Sequence, residues 1–183
     1  LLWGALDGSR RTGRRPYPSP GALYAARLRL LALGVDGVPP ATYDVVPGRR
    51  VLRPVGPAPE RSAVGALSGY LSRGPENPDG IDAEEVPAVL GLYVDLGTLR
   101  RRYGLRALRL GLLEAGHLAQ TLVLAATALE LATITLSGFH DDLAHELFGL
   151  DAGAEPLQYL IPLGMPLGMP SDTPPVDVPP GTP

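Results

Sequence analysis

The 183-residue chain has no cysteine, which excludes disulfides, thiolate metal sites and a cysteine nucleophile. Any redox chemistry it carries out must come from a bound cofactor. It has no lysine either: all sixteen basic residues are arginine, and none lies beyond Arg109. Up to that point the arginines face ten acids, a net of +6, and beyond it nine acids stand without a cation, a net of −9. The arginine-rich half lacks aromatic interleaving, a zinc pattern and a recognition-helix motif, so nucleic acid is not expected as a partner. Arg10, Arg11, Arg14 and Arg15 read as a solvated loop or as a site for an anion or peptide. A membrane span is not expected. In the most apolar region the stretch free of ionisable groups covers only residues 118–129, short of the roughly 18 that a span needs. No charged-then-apolar leader precedes a small-residue cleavage site, so the expected compartment is the cytoplasm. The chain begins with Leu1 rather than Met, and upstream sequence is expected to be missing.

What is present is apolar: 45% hydrophobic against 19% charged residues, enough for one domain with a sizeable core. Residues 1–6 read as a helix end and residues 8–20 as a loop of Arg, Gly and Pro. Residues 22–32 suit helix or strand by propensity. Turn chemistry at Asp36-Gly37 and Pro47-Gly48 alternates with β-branched residues, as in a hairpin. Residues 61–73 are expected to form a short helix, residues 74–80 an exposed loop or lid, and residues 86–94 an apolar strand. An acidic helix over 141–148 should precede a strand over 157–163. The Pro-rich segment beyond it, with its repeated GMP, reads as a polyproline-like extension.

The region of greatest information is RYGLRALRLGLLEAGHLAQTLVLAATALE, residues 102–130, followed by LATITLSGFHDD. Leu, Ala and Arg dominate, proline is absent, and the pattern predicts one long helix, buried on most sides, then a short strand and a turn carrying Ser137 and Gly138. At 100° per residue Arg106, Glu114, His117 and Thr121 fall within an arc of about 80°, with leucine and alanine filling most of the rest. Glu114 and His117, three apart, could bond each other or a partner helix. His140, Asp141, Asp142, His145 and Glu146 lack a ligand signature such as H-E-x-x-H and are expected on an exposed helix, so no metal is anticipated.

Four segments, PSPGALYA (18–25), RRYGLRALR (101–109), EAGHLAQ (114–120) and ELATITLSGF (130–139), resemble in order and spacing the SagB-type azoline dehydrogenases of the flavin-dependent nitroreductase superfamily, over most of residues 1–163. The resemblance implies an α+β nitroreductase-like fold: a mixed or antiparallel sheet surrounded by helices, with a long central helix at a dimer interface and residues 164–183 as an extension. It favours a helical turn at GALYA and a strand near 27–33. It implies FMN as cofactor, held by Arg15, Pro18, Ser19, Gly21, Gln120, Ser137 and Gly138. Ser19 and its neighbouring backbone would contact the isoalloxazine, and the Ser137 and Gly138 N–H groups its N5 and O4 region. Arg11, Arg14, Arg15 or a dimer partner would meet the phosphate. Tyr103 and Arg102 are the implied proton-handling pair, with Arg102 standing where the family has Lys. The implied activity is oxidation of thiazoline or oxazoline rings to azoles in a ribosomally made, modified peptide, with a cyclodehydratase or other modifying enzyme as partner. A dehydroamino-acid reductase is the enzymatic alternative, and a non-catalytic member that binds a peptide or a partner enzyme is the other.

Overall fold

A computed structural model of the chain describes residues 1–8, 12–78 and 80–165. Arg10, Arg11 and all but the first two residues of the Pro-rich extension lie outside the described residues. Six antiparallel strands form one sheet: β1 (Ala26–Ala32), β2 (Ala41–Val46), β3 (Val51–Pro57), β4 (Ala88–Val94), β5 (Ala132–Thr133) and β6 (Leu157–Gly164), in the order β3-β2-β1-β4-β6-β5. β4, with the sequence AVLGLYV, is buried at all seven positions because helices cover both of its faces. The two edges are unlike the centre. β3 is mostly exposed and carries Arg53, Pro54 and Pro57, while β5 is two residues long. The 2-residue side-chain alternation sorts each strand between two cores. Ala26, Leu28, Leu30, Leu90, Leu92 and Val94 point to one, and Leu31, Val89, Tyr93 and Leu160 to the other.

The first core is closed by α1 (Leu2–Leu6) and by the central helix. The latter, α4 (Ala107–Ala128), lies where the long helix is expected, and a shorter helix not expected from the sequence, α3 (Leu96–Tyr103), precedes it across a 3-10 turn, Gly104–Arg106. Asp95 caps α3, accepting the Thr98 N–H at 2.9 Å. Gly104, at φ 54°, breaks the run where the residue types alone favoured continuity. α4 meets β4 closely at Gly111, where a Cβ would stand 2.6 Å from Val94 Cγ1. The second core is closed by α2 (Arg61–Gly65), a 3-10 turn at Gly69–Leu71, and α5 (Asp141–Phe148). Residues 61–73 are thus two short pieces, not one helix. The loop beyond them is braced by Asn77, whose Nδ2 donates to Gly69 O at 2.9 Å and Ser72 O at 3.2 Å.

Two expectations need correction. α4 is buried on one face only, through Ala107, Gly111, Glu114, Ala115, Leu118, Ala119, Leu122 and Ala126, and its other face exposes Leu108, Leu112, Leu113 and Leu124. The helical run Leu96–Ala128 is long and apolar enough to cross a membrane by length and composition, but its inner face forms the core of this fold, as expected of a core helix. His145 is not on an exposed face. It is buried, with Nε2 accepting the Leu157 N–H at 3.1 Å, so Nδ1 carries the proton and donates to Asp141 O at 2.7 Å. Among the described residues no cluster of His, Asp or Glu suits a metal ion.

Candidate functional site

The segment 18–25 folds as a tight loop entering β1, with a 3-10 turn at Pro20–Ala22. Gly21, Ala22 and Tyr24 all have positive φ, at 60°, 54° and 50°. Two of these are not glycine, and left-handed backbone costs such residues of order 1 kcal/mol each. The strain persists because the loop is bonded from several sides. Ser19 Oγ accepts the Tyr24 N–H at 2.8 Å and donates to Glu114 Oε2 at 2.9 Å. Glu114 Oε1 accepts the Ala26 N–H at 3.0 Å, and the carboxylate is 0% exposed. Burial raises the Glu114 pKa, against the opposing pull of the Ala26 N–H, the Ser19 hydroxyl, the Arg15 charge and the Ala25 N–H.

This geometry corrects the pairing of Glu114 with His117. Glu114 lies at the edge of the polar arc nearest the core and turns inward, whereas His117 is exposed. Gln120 is exposed on the same outer side as His117. Pro18 is exposed beside Ser19.

Arg15 is held by aromatic groups rather than by an acid. Its Nη1 donates to Tyr17 Oη at 2.8 Å, its Cζ lies 4.5 Å from the Tyr24 ring centroid, and its backbone N–H donates to Tyr24 Oη at 2.9 Å. No ion pair neutralises it among the described residues. Burial raises the Tyr17 pKa, with Arg15 opposing. Tyr17 was not singled out in the sequence, and nothing in its spacing marks it. Arg14 is exposed.

The same loop meets the α3–α4 corner. A Cβ on Gly21 would lie 2.5 Å from Tyr103 Oη and 3.4 Å from Arg102 Nε. Tyr103 is half-buried, and its hydroxyl has no hydrogen-bond partner among the described residues. Arg102 is exposed, its guanidinium carbon 5.9 Å from the Tyr103 ring centroid. Two segments about eighty residues apart in sequence therefore converge, and Glu114 ties a third to them.

Ser137 and Gly138 stand elsewhere. The turn follows Leu136, which pairs with Leu160 of β6, and is anchored to the second core, where Ser68 Oγ donates to Gly138 O at 2.6 Å and the His140 N–H to Leu67 O at 2.8 Å. Both residues are exposed, and neither N–H finds an acceptor among the described residues. A Cβ on Gly138 would meet nothing within 4 Å. No hydrogen bond joins this turn to the Ser19 loop. A cleft of about 580 Å³ between residues 61–73 and 82–84 opens beside the turn, with Ser68 and His140 in its wall.

A strained glycine loop facing an unbonded tyrosine, and a second turn presenting free N–H groups, are suited to a flat cofactor that needs close backbone approach and fixed donors. A family model described as "Nitroreductase family" matches residues 76–165. A protein of Methanocaldococcus jannaschii named as a nitroreductase is 29% identical over 152 residues, 80% of this chain and 70% of the relative. Among solved structures, the Escherichia coli microcin synthetase McbBCD complex with truncated pro-MccB17 bound superposes with a TM-score of 0.71 at 24% identity, over 89% of this chain and 60% of that one. A protein of Anabaena variabilis described as a nitroreductase by name gives 0.73 at 19% identity, over 88% and 33%. One of Exiguobacterium sibiricum in complex with FMN gives 0.56 at 15%, over 85% and 75%. The chain has a nitroreductase-like α+β fold, with a six-stranded antiparallel sheet and a long central helix, and the family model matches about half of it.

Proposed function

We propose that the chain is an FMN-dependent oxidoreductase that converts thiazoline or oxazoline rings to azoles in a modified peptide, working as a homodimer. The observation that carries this reading is the convergence of Gly21 on Tyr103 and Arg102. It brings the loop assigned to the flavin against the pair assigned to the proton. When bound, FMN supplies the two-electron acceptor. The chain's own residues do the rest. Ser137 and Gly138 offer two N–H donors, and Arg15, with Arg14 beside it, offers positive charge for the phosphate. Tyr103 Oη, half-buried beside the loop, relays the proton lost from the ring carbon, passing its own proton to solvent as it accepts that one. The solved microcin synthetase, with its bound pro-peptide, supports a peptide substrate and partner enzymes.

The separation of the two proposed half-sites supports the homodimer reading. Ser19 and Tyr103 lie on the first core and Ser137 and Gly138 on the second. A second copy docked on the exposed leucines of α4 would complete each site with the other's turn. Arg102 favours one further reading: an arginine stays protonated and cannot act as the base. The corner therefore also suits proton donation, as a dehydroamino-acid reductase requires.

The test is azole formation on a heterocyclised peptide, followed by mass as a loss of about two daltons per ring, the two hydrogens removed. Tyr103→Phe is expected to slow it by about a hundredfold or more while flavin and peptide affinity hold. Arg102→Lys should retain activity. Wild-type protein that is colourless and cannot be reconstituted with FMN would favour the binding-only reading. Light scattering that shows only monomer with flavin bound would remove the homodimer.

A further inference from the structure

Ser19 sits between two partners that leave its hydroxyl one way to act. A serine hydroxyl has one O–H donor and two acceptor lone pairs. The Tyr24 N–H occupies one lone pair at 2.8 Å, and the O–H is given to Glu114 Oε2 at 2.9 Å. Glu114 Oε1 is filled by the Ala26 N–H, a backbone donor whose polarity cannot reverse. Both carboxylate oxygens therefore accept. Burial opposes the charge on Glu114, but the groups that face it favour the ionised form: the Ala26 N–H, the Ser19 hydroxyl, the Arg15 charge and the Ala25 N–H, with neutral Tyr17 beyond them. On α4 itself His117 is exposed, and no hydrogen bond joins it to Glu114. Ser19 is only half-buried, so its second lone pair is not sealed in the core.

We infer that Glu114 is the positioning and specificity-determining residue of this loop: by holding the Ser19 proton it makes Ser19 a pure hydrogen-bond acceptor. The loop then selects a ligand edge that presents an N–H or O–H and disfavours one that presents only a carbonyl. Glu114 does this without touching the ligand. For the identity of the ligand alone, the inference rests on the flavin reading. The oxidised isoalloxazine ring has a single N–H donor, the imide at N3, between two carbonyls. Ser19 as acceptor selects that N–H over its neighbours.

Glu114→Gln inverts the arrangement. The glutamine Oε1 still accepts the Ala26 N–H, but its Nε2 donates to Ser19, fills the second lone pair and frees the Ser19 O–H. The experiment titrates FMN and N3-methyl-FMN separately into the purified apo-protein and follows quenching of flavin fluorescence. Wild type is expected to prefer FMN by about tenfold, the worth of one hydrogen bond. In Glu114→Gln, and in Ser19→Ala should the first variant fail to fold, the preference should fall to about one. A wild type without preference, or a Glu114→Gln variant that keeps it, overturns the inference. A second measurement separates it from the flavin reading. In ¹³C-glutamate-labelled apo-protein the Glu114 carboxyl resonance, assigned by its loss in Glu114→Gln, should be that of an ionised group at neutral pH. A protonated carboxyl there reverses Ser19 and overturns the inference whatever binds. If neither flavin binds wild type, the flavin reading fails, and the carboxyl resonance alone decides the polarity of Ser19.

Discussion

The Ser19 loop and the Ser137–Gly138 turn are both assigned to one ligand, yet they are built on opposite terms. The first is bonded inward at almost every polar atom: Ser19, Tyr24 and Arg15 all have partners, and Glu114 is wholly buried beneath them. The second is anchored by one carbonyl and leaves its N–H groups free in open space. Shape is therefore fixed by folding at the loop, whereas the turn keeps bonding capacity in reserve. Substitutions should accordingly be read as stability at the first and as ligand affinity at the second.

The largest departure is expected from Glu114→Ala. It strands the buried Ala26 N–H, frees Ser19 and leaves a cavity, at a cost of about 3 kcal/mol in stability. Thermal melting should fall by roughly 6–12 °C for a chain of this size. An unchanged melting temperature would place the loop and the turn on the same footing. Gly21→Val comes next. Its Cβ would strike Tyr103 Oη, and a β-branched residue is poorly tolerated at φ 60°, so a loss of about 1–3 kcal/mol is expected by denaturant titration. Gly138→Val is the opposite case. With nothing within 4 Å of its Cβ, stability should stay within about 0.5 kcal/mol while flavin occupancy, read by absorbance, is lost. Full occupancy in that variant would take the ring away from this turn.

The smallest effect is one of pH. Burial first, against its hydrogen bonds, raises the Glu114 pKa, so the folded protein holds that proton more tightly than the unfolded chain. The associated stability is full below the ordinary carboxylate pKa and is lost as pH rises through the raised folded value. Glu114→Gln should flatten that decline, as seen in denaturant midpoints taken on both sides of the interval.

Strand and helix order were legible because periodicity and turn chemistry agree along most of the chain. The hairpin, β4, α5 and β6 fall where alternation or apolar runs put them. The helix break at Gly104 was hidden by arginine and leucine, which favour helix on both sides of it. Its signal was present in another form: Asp95 with Thr98 as a cap, then Arg100, Arg101 and Arg102 ahead of Gly104, which is the pattern of a short helix ending. Glu114 was harder to place. Periodicity assigns a carboxylate to the outer face by default, and only the distant Ala26 N–H and Ser19 hydroxyl explain its turning inward. The Ser137–Gly138 turn is expected from the motif, but its anchoring to the second core follows from strand order, which local pattern does not encode. The correct tautomer of His145 likewise depends on Leu157, twelve residues away.

The ends of the sheet carry a consequence for self-association. An open sheet edge offers unpaired N–H and C=O groups on which another chain can add a strand, the usual beginning of aggregation. Here one edge is interrupted by Pro54 and Pro57, which have no N–H to give, and carries Arg53 between the exposed Val51 and Val55. The other edge is the two-residue β5, continued along β6 by the bridge of Leu136 to Leu160. Neither provides a template of useful length. A concentrated solution of this protein should therefore resist fibril growth even when the central helix is left uncovered, and any clumping it shows should dissolve on masking leucines rather than on capping strands.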